Sequence, residues 1–274
     1  MRVAHICATC GTQFPPAAAP PPACPICQDE RQYIRAGGQR WTSLETMRRT
    51  HFNAWRVHEP NLIGIGTTPA FAIAQRALLL RQPEGNILWD CITFLDDATI
   101  ELVKSLGGIR TIAISHPHYY SCMVEWAHAF GAKILLHEAD RDHVMRPDPA
   151  IRYWSGASHA LADGVTLINA PGHYDGGTML HWAQGAEGQG ALLSGDIVQV
   201  VPDRRFVSFM RSYPNLIPLN VPTVRAIASA VEPYPYARLY GAWWDRIITH
   251  DAKARVAASV DRYVRWISDP AGSR

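Results

Sequence analysis

Four cysteines fall within the first 27 residues, spaced as Cys7-x-x-Cys10 and Cys24-x-x-Cys27, and no other feature constrains this chain as tightly. Two residues between thiols let both sulfurs of a tight turn face one point. Two such turns supply four thiolates at the tetrahedral corners that Zn²⁺ prefers. Thirteen residues separate the pairs, among them five prolines between Pro15 and Pro22, which fix φ and favour a stiff extended spacer over a helix. Disulfides or bound iron are the competing uses of such thiols. The N-terminus lacks the apolar segment of a secretory signal, so a cytoplasmic, thiol-reducing setting is expected, in which cysteines serve as ligands. A head of ~35 residues is too small for a core of its own, so metal binding supplies its folding energy, and its expected role is docking or dimer contact.

The rest of the 274 residues is long enough for one large domain. With 47% hydrophobic and 18% charged residues it is expected to be globular, and a formal charge of +2 gives no overall field for nucleic acid or an anionic membrane. No stretch reaches the ~18 apolar residues that span a bilayer. The organisation expected is a head at 1–36, a connecting helix and linker at 37–60 with Thr42-Ser43-Leu44-Glu45 as helix cap, and a body at 61–274. Short strands are predicted at Asn61–Thr67, Ala70–Ile73, Ala77–Leu80 and Asn86–Trp89. From Asp97 the texture becomes β-α-β: a helix to Leu106, a strand at Thr111–Ser115, a helix at Met123–Phe130 and a strand at Lys133–His137. Strands are predicted again at Val165–Asn169, Thr178–Trp182, Ala191–Leu193 and Arg238–Tyr240. A closing helix over Asp251–Ile267 has Val256, Val260, Val264 and Ile267 on one face. The fold class is α/β in layers.

Four segments end a predicted strand with a potential ligand: Trp89-Asp90, His116-Pro117-His118, Gly172-His173 and Gly195-Asp196. An i, i+2 histidine pair at a strand-to-loop transition can point both rings into one space. Together, in this order, these segments resemble the metallo-β-lactamase superfamily over about Asn61 to Ile267. The resemblance implies an αββα sandwich with the site at one edge, here preceded by a small zinc-ribbon-like, or rubredoxin-like, head. It implies Asp90 as a supporting carboxylate, His116, His118 and His173 as imidazole ligands, and Asp196 as carboxylate ligand.

The departures matter equally. The family's His-x-His-x-Asp-His motif here ends in Tyr120-Ser121, and Trp243-Trp244 stand where the family's last histidine is expected, with His250 a poor replacement. One ion remains, Zn²⁺ or Fe²⁺, besides the structural zinc of Cys7, Cys10, Cys24 and Cys27. Three imidazoles leave a position for water, whose pKa the ion lowers toward ~7. The expectation is a mononuclear metal-dependent hydrolase acting on an ester, thioester, lactone or amide, with Asp196 and Tyr120 as catalytic groups. The alternatives are a non-catalytic metal-binding module and an iron-dependent oxidoreductase resembling the family's sulfur dioxygenases. A small-molecule substrate is expected, nucleic acid and membranes are not, and a homodimer is left open. Tyr119, Cys122 and the Arg204–Arg211 loop are further candidates, each with plain packing or a dimer contact as the alternative.

Overall fold

The computed structural model describes residues 2–268, and the chain divides into two compact units, 1–154 and 155–274. The first unit contains the cysteine head. Strands Gln13–Ala17, Val3–Cys7 and Trp41–Thr42 form a three-stranded antiparallel sheet, and a single turn of helix, Pro25–Gln28, carries the second cysteine pair. The small core consists of the four cysteines with Phe14 and Ile26, against which Trp41 and Met145 pack. Phe14 meets Trp41 edge-on at 5.2 Å. The head therefore reaches beyond residue 36, because it needs the strand at 41–42 to close its sheet.

Ser43 caps the helix Leu44–Met47 as the sequence leads one to expect, its hydroxyl accepting from the Thr46 amide. The segment that follows is not linker: Phe52–Glu59 is the outer strand of a seven-stranded sheet. In spatial order that sheet runs Ile151–Trp154, Lys133–His137, Thr111–Ala113, Ile87–Trp89, Arg76–Leu80, Leu62–Thr68 and Phe52–Glu59. Its first four strands are parallel and the rest antiparallel. Phe52–Glu59 escapes a pattern search because its residues are mostly half-exposed, which blurs the alternation that marks a strand. Ala70–Ile73, expected as a strand, is a turn in which Ala72 takes a left-handed φ of 53°, incompatible with a ladder.

The helices of this unit follow their local signals. Asp96 caps Asp97–Ser105 by accepting from the Thr99 amide, and Met123–Phe130 ends at Gly131, whose φ of 65° suits a left-handed cap. Met123, Val124, Trp126 and Ala127 are buried, each large side chain contributing on the order of 1.5–3 kcal/mol.

The second unit is built on a six-stranded sheet in the order Ser158–Ala162, Val165–Asn169, Thr178–Trp182, Ala191–Gly195, Arg238–Gly241 and Ile247–Ile248. Helices Val221–Val231 and Ala252–Ser268 cover a core that includes Ile168, Leu192, Leu239, Val256 and Val260. The helix at 221–231 has Asn220 as cap and Pro222 in its first turn. Two small hairpins occupy the segment after Asp196: Gln199–Val200 with Val207–Ser208, and Met210–Ser212 with Ile217–Pro218.

Candidate metal centres

Among the described residues, two groups of side chains could hold a metal ion: Cys7, Cys10, Cys24 and Cys27, and His116, His118 and His173. Within each group the donor atoms all lie within 4.8 Å of one another. Asp196 is in neither group.

The cysteine group is closed on every side. Its residues are 0–2% exposed, with Cys7 Sγ 3.5 Å from Cys27 Sγ and Cys10 Sγ 3.6 Å from Cys24 Sγ. The first knuckle is held by its own backbone, the Cys7 amide donating to the Thr12 carbonyl at 3.0 Å and the Gly11 amide to the Cys7 carbonyl at 2.8 Å. In the second, the Cys27 and Gln28 amides both donate to the Cys24 carbonyl. The Gln39 amide side chain donates to Cys7 Sγ at 3.1 Å, a contact that favours a thiolate. Contacts with the other three sulfurs, together with burial, push the Cys10 thiol well above its ordinary value. Four buried sulfurs at such distances are mutually costly as anions and suit one divalent cation. The donor set fits tetrahedral zinc or iron.

The histidine pair of the first unit sits where the strand Thr111–Ala113 runs out. Pro117 opens a single 3₁₀ turn, Pro117–Tyr119, with the Tyr119 amide donating to the His116 carbonyl. His116 and His118 are 1% and 2% exposed, their rings edge-to-face with centroids 5.1 Å apart, and the buried Tyr119 ring lies 4.6 Å from His116. Ser115 Oγ is 3.0 Å from His116 Nδ1, a contact that orients the ring. Asp90, at the end of the neighbouring strand, accepts the Ser115 amide at 2.8 Å and so supports the histidine turn through the backbone.

Tyr120 and Ser121 occupy the end of the motif. Tyr120 is buried. Ser121 has a φ of 43°, unusual for a residue with a Cβ; Gln75 Nε2 donates to its hydroxyl at 3.0 Å and also to the Cys91 carbonyl at 3.2 Å, while the Ser121 carbonyl accepts from the Gln13 amide at 3.1 Å. A hydrogen-bonded hydroxyl thus stands where the family motif has a histidine. Gln75 and Gln13 carry no motif, and no sequence signal points to them. Cys91 and Cys122 are fully buried, and burial pushes both thiols well above their ordinary value, which keeps them neutral.

In the second unit His173 lies in the turn after Val165–Asn169. Its Nδ1 is 3.0 Å from the Met210 carbonyl; the ring nitrogen must donate there, leaving Nε2 as the ligating atom. A Cβ on Gly172 would come within 2.8 Å of Thr223 and 2.9 Å of Ile227, so glycine lets this turn sit close on the helix Val221–Val231. Asp196 follows Ala191–Gly195 and is 4% exposed. The Tyr213 hydroxyl donates to the Asp196 carbonyl at 2.9 Å and its ring is 5.8 Å from His173. Burial and the Asp196 charge push Tyr213 well above the usual phenol range, so it remains a donor. Met210 and Tyr213 belong to the aromatic insertion, where the sequence signals were its arginines. Arg205 instead pairs with Asp203 at 2.6 Å. His250 lies 2.8 Å from the Arg255 guanidinium, on a cavity of about 690 Å³ lined also by Glu187, Arg238 and Lys253.

No family model matches the chain. It is 48% identical over 266 residues to the protein YmaE of Bacillus subtilis (strain 168), spanning 96% of this chain and 97% of the relative. Among solved structures it is similar to the metallo-β-lactamase fold at low identity. For VMB-1 the TM-score is 0.60 at 10% identity, covering 79% of this chain and 98% of that one. For DIM-1 metallo-β-lactamase exposed to ceftazidime it is 0.55 at 10%, covering 77% and 97%, and for SMB-1 in complex with mercaptoacetic acid 0.51 at 18%, covering 77% and 93%. The chain belongs to the family of Bacillus subtilis YmaE, its body folded as the αββα sandwich of the metallo-β-lactamases and its head tied by four cysteines.

Proposed function

We propose that this protein is a mononuclear metal-dependent hydrolase that acts on a small ester, thioester, lactone or amide in the cytoplasm. The observation that carries the reading is the three-imidazole group, with nitrogens within 4.8 Å of one another, beside a motif end already occupied by a hydrogen-bonded Ser121. A zinc or ferrous ion held by His116, His118 and His173 supplies a Lewis acid and acidifies bound water. A second ion lacks ligands from Tyr120 and Ser121.

The chain's own groups divide the remaining work. His173 is oriented by the Met210 carbonyl and His116 by Ser115 through their Nδ1 atoms, and Nε2 of each would be the ligating atom. To Asp196, a buried carboxylate, this reading assigns completion of the ligand set or acceptance of the proton released on attack, and to Tyr120, also buried, donation of one to the leaving group. The head carries a structural zinc. No helix among the described residues is long and apolar enough to cross a membrane.

The test is turnover of a panel of esters, thioesters, lactones and amides by the purified chain loaded with zinc or ferrous ion. One class is expected to turn over, with the rate lost in His116→Ala. Wild-type protein that holds an ion on its histidines and yet hydrolyses no class faster than His116→Ala contradicts the reading and favours a binding module.

A further inference from the structure

We propose that the cysteine head is a metal-dependent clamp on the histidine turn, so that loading of the four-cysteine group sets the order of residues 116–122 and, resting on the reading above, the metal affinity of the histidine group. The links are direct and all lie in the first unit. The Gln13 amide donates to the Ser121 carbonyl at 3.1 Å, and Thr93 Oγ1 donates to the Gly11 carbonyl at 3.2 Å. Gln13 Nε2 donates to Glu125 at 3.3 Å, and the Arg146 guanidinium donates both to Gln13 Oε1 and, at 2.6 Å, to Glu125.

Residues Gly11 to Gln13 are the closing turn of the first knuckle, the stretch that the Cys7–Thr12 and Gly11–Cys7 backbone bonds fold around the sulfurs. Gly11 has a φ of 83°, and a Cβ there would stand 2.3 Å from Thr93 Oγ1 and 3.2 Å from the Ala72 side chain. Only glycine permits this approach. The two body residues gripped are not arbitrary. Ser121 ends the turn that carries His116 and His118, and its left-handed φ must be maintained by its partners. Thr93 follows closely on Asp90, whose carboxylate holds the Ser115 amide at the turn's other end. The head thus holds Ser121, just past the histidine turn, and Thr93, three residues along the chain from Asp90.

The coupling follows from how such a head folds. A knot with so small a core holds its shape through its ion. Without that ion, Gly11 to Gln13 have no fixed conformation, and Ser121 and Thr93 lose their partners together. Residues that position metal ligands typically change affinity by about 10–100-fold when removed.

The test uses the full chain in three forms: native, Cys24→Ser, which removes a head ligand, and the double variant Thr93→Val with Gln13→Pro, which removes the Thr93 hydroxyl and, at the first residue of an edge strand, the Gln13 N–H while leaving all four cysteines in place. Amide exchange is followed across His116–Glu125 and, as an internal reference, across Lys133–His137. Zinc affinity of the histidine group is measured by chelator competition, and the thiolate charge-transfer band of cobalt-loaded protein reports the head. Both variants are expected to exchange about 10-fold faster across His116–Glu125 with Lys133–His137 unchanged, and to bind histidine-site zinc about 10-fold more weakly. The double variant is expected to keep the cobalt band. Exchange and affinity within about two-fold of native in both variants overturn the clamp. If native protein holds no ion on its histidines, the proposed activity falls, and exchange alone still decides the clamp.

Discussion

The two metal groups of this chain are opposites in construction. The cysteine group draws four anionic ligands from 21 consecutive residues, Cys7 to Cys27, and closes them with hydrogen bonds of its own knuckles. The histidine group draws three neutral ligands from loops at strand ends, two of them in one turn and the third 55 residues beyond His118. A complete tetrahedral shell of thiolates leaves no room for chemistry, whereas three imidazoles leave a coordination position open. The difference teaches how two ligand sets are prepared: the cysteine group makes up most of the head's small core, whereas the histidines are oriented by hydrogen bonds from the strands and turns around them.

The sharpest way to break that contrast is His116→Ala. Loss of one imidazole from a three-ligand group is expected to lower kcat/KM by more than about 10³-fold, with a small change in thermal midpoint, because the fold does not depend on that ion. Cys24→Ser is the mirror experiment. Losing a structural ion costs several kcal/mol, and at about 2–4 °C per kcal/mol the midpoint is expected to fall by roughly 10 °C in a melt followed by circular dichroism. A small shift there, or a large one for His116→Ala, would erase the contrast.

Asp90→Asn sharpens it more gently. The left-handed φ of 58° suits asparagine, but the amide is a weaker acceptor for the Ser115 N–H than the carboxylate is. Histidine-site metal affinity is expected to weaken about 10-fold while the head keeps its ion, which chelator competition resolves.

A smaller effect sets the pH range for these comparisons. His58 is pushed down to about 4, first by burial and then by the neighbouring Arg76 and Arg56 charges. Its folded value lies below the unfolded one, so the neutral ring's contribution to stability is complete above about 6.5 and is lost as the pH falls from about 6.5 to about 4. Acid melts of His58→Gln are expected to show a shallower decline than wild type across that window.

Much of this was legible in the chain because it rests on local chemistry. Two turns of Cys-x-x-Cys announce their ligand set by spacing alone, and the runs Met123–Phe130, Lys133–His137, Val165–Asn169 and Thr178–Trp182 form the elements expected of them. All four strand-end ligand candidates needed the family pattern as well, since a histidine pair, a single histidine or a single carboxylate after a strand carries little meaning by itself. Other features rest on long-range pairing. Phe52–Glu59 becomes a strand because Leu62–Thr68 offers it an edge, and Ile151–Trp154 because Lys133–His137 does. The helix Val221–Val231 did carry signals, an Asn cap at 220 and Pro222 in its first turn, that hydrophobic spacing did not bring out. The groups that orient the ligands, Met210, Ser115, Gln75 and Gln13, act largely through backbone atoms or neutral side chains, which no residue pattern marks.

The most direct measurement is metal content by elemental mass spectrometry on cobalt- and zinc-loaded wild type and on the double variant His116→Ala with His173→Ala. The expected result is two ions per wild-type chain and one per variant chain, the remaining cobalt showing the thiolate charge-transfer band. Three ions in the wild type, or the same single ion in both proteins, would contradict a mononuclear centre on His116, His118 and His173.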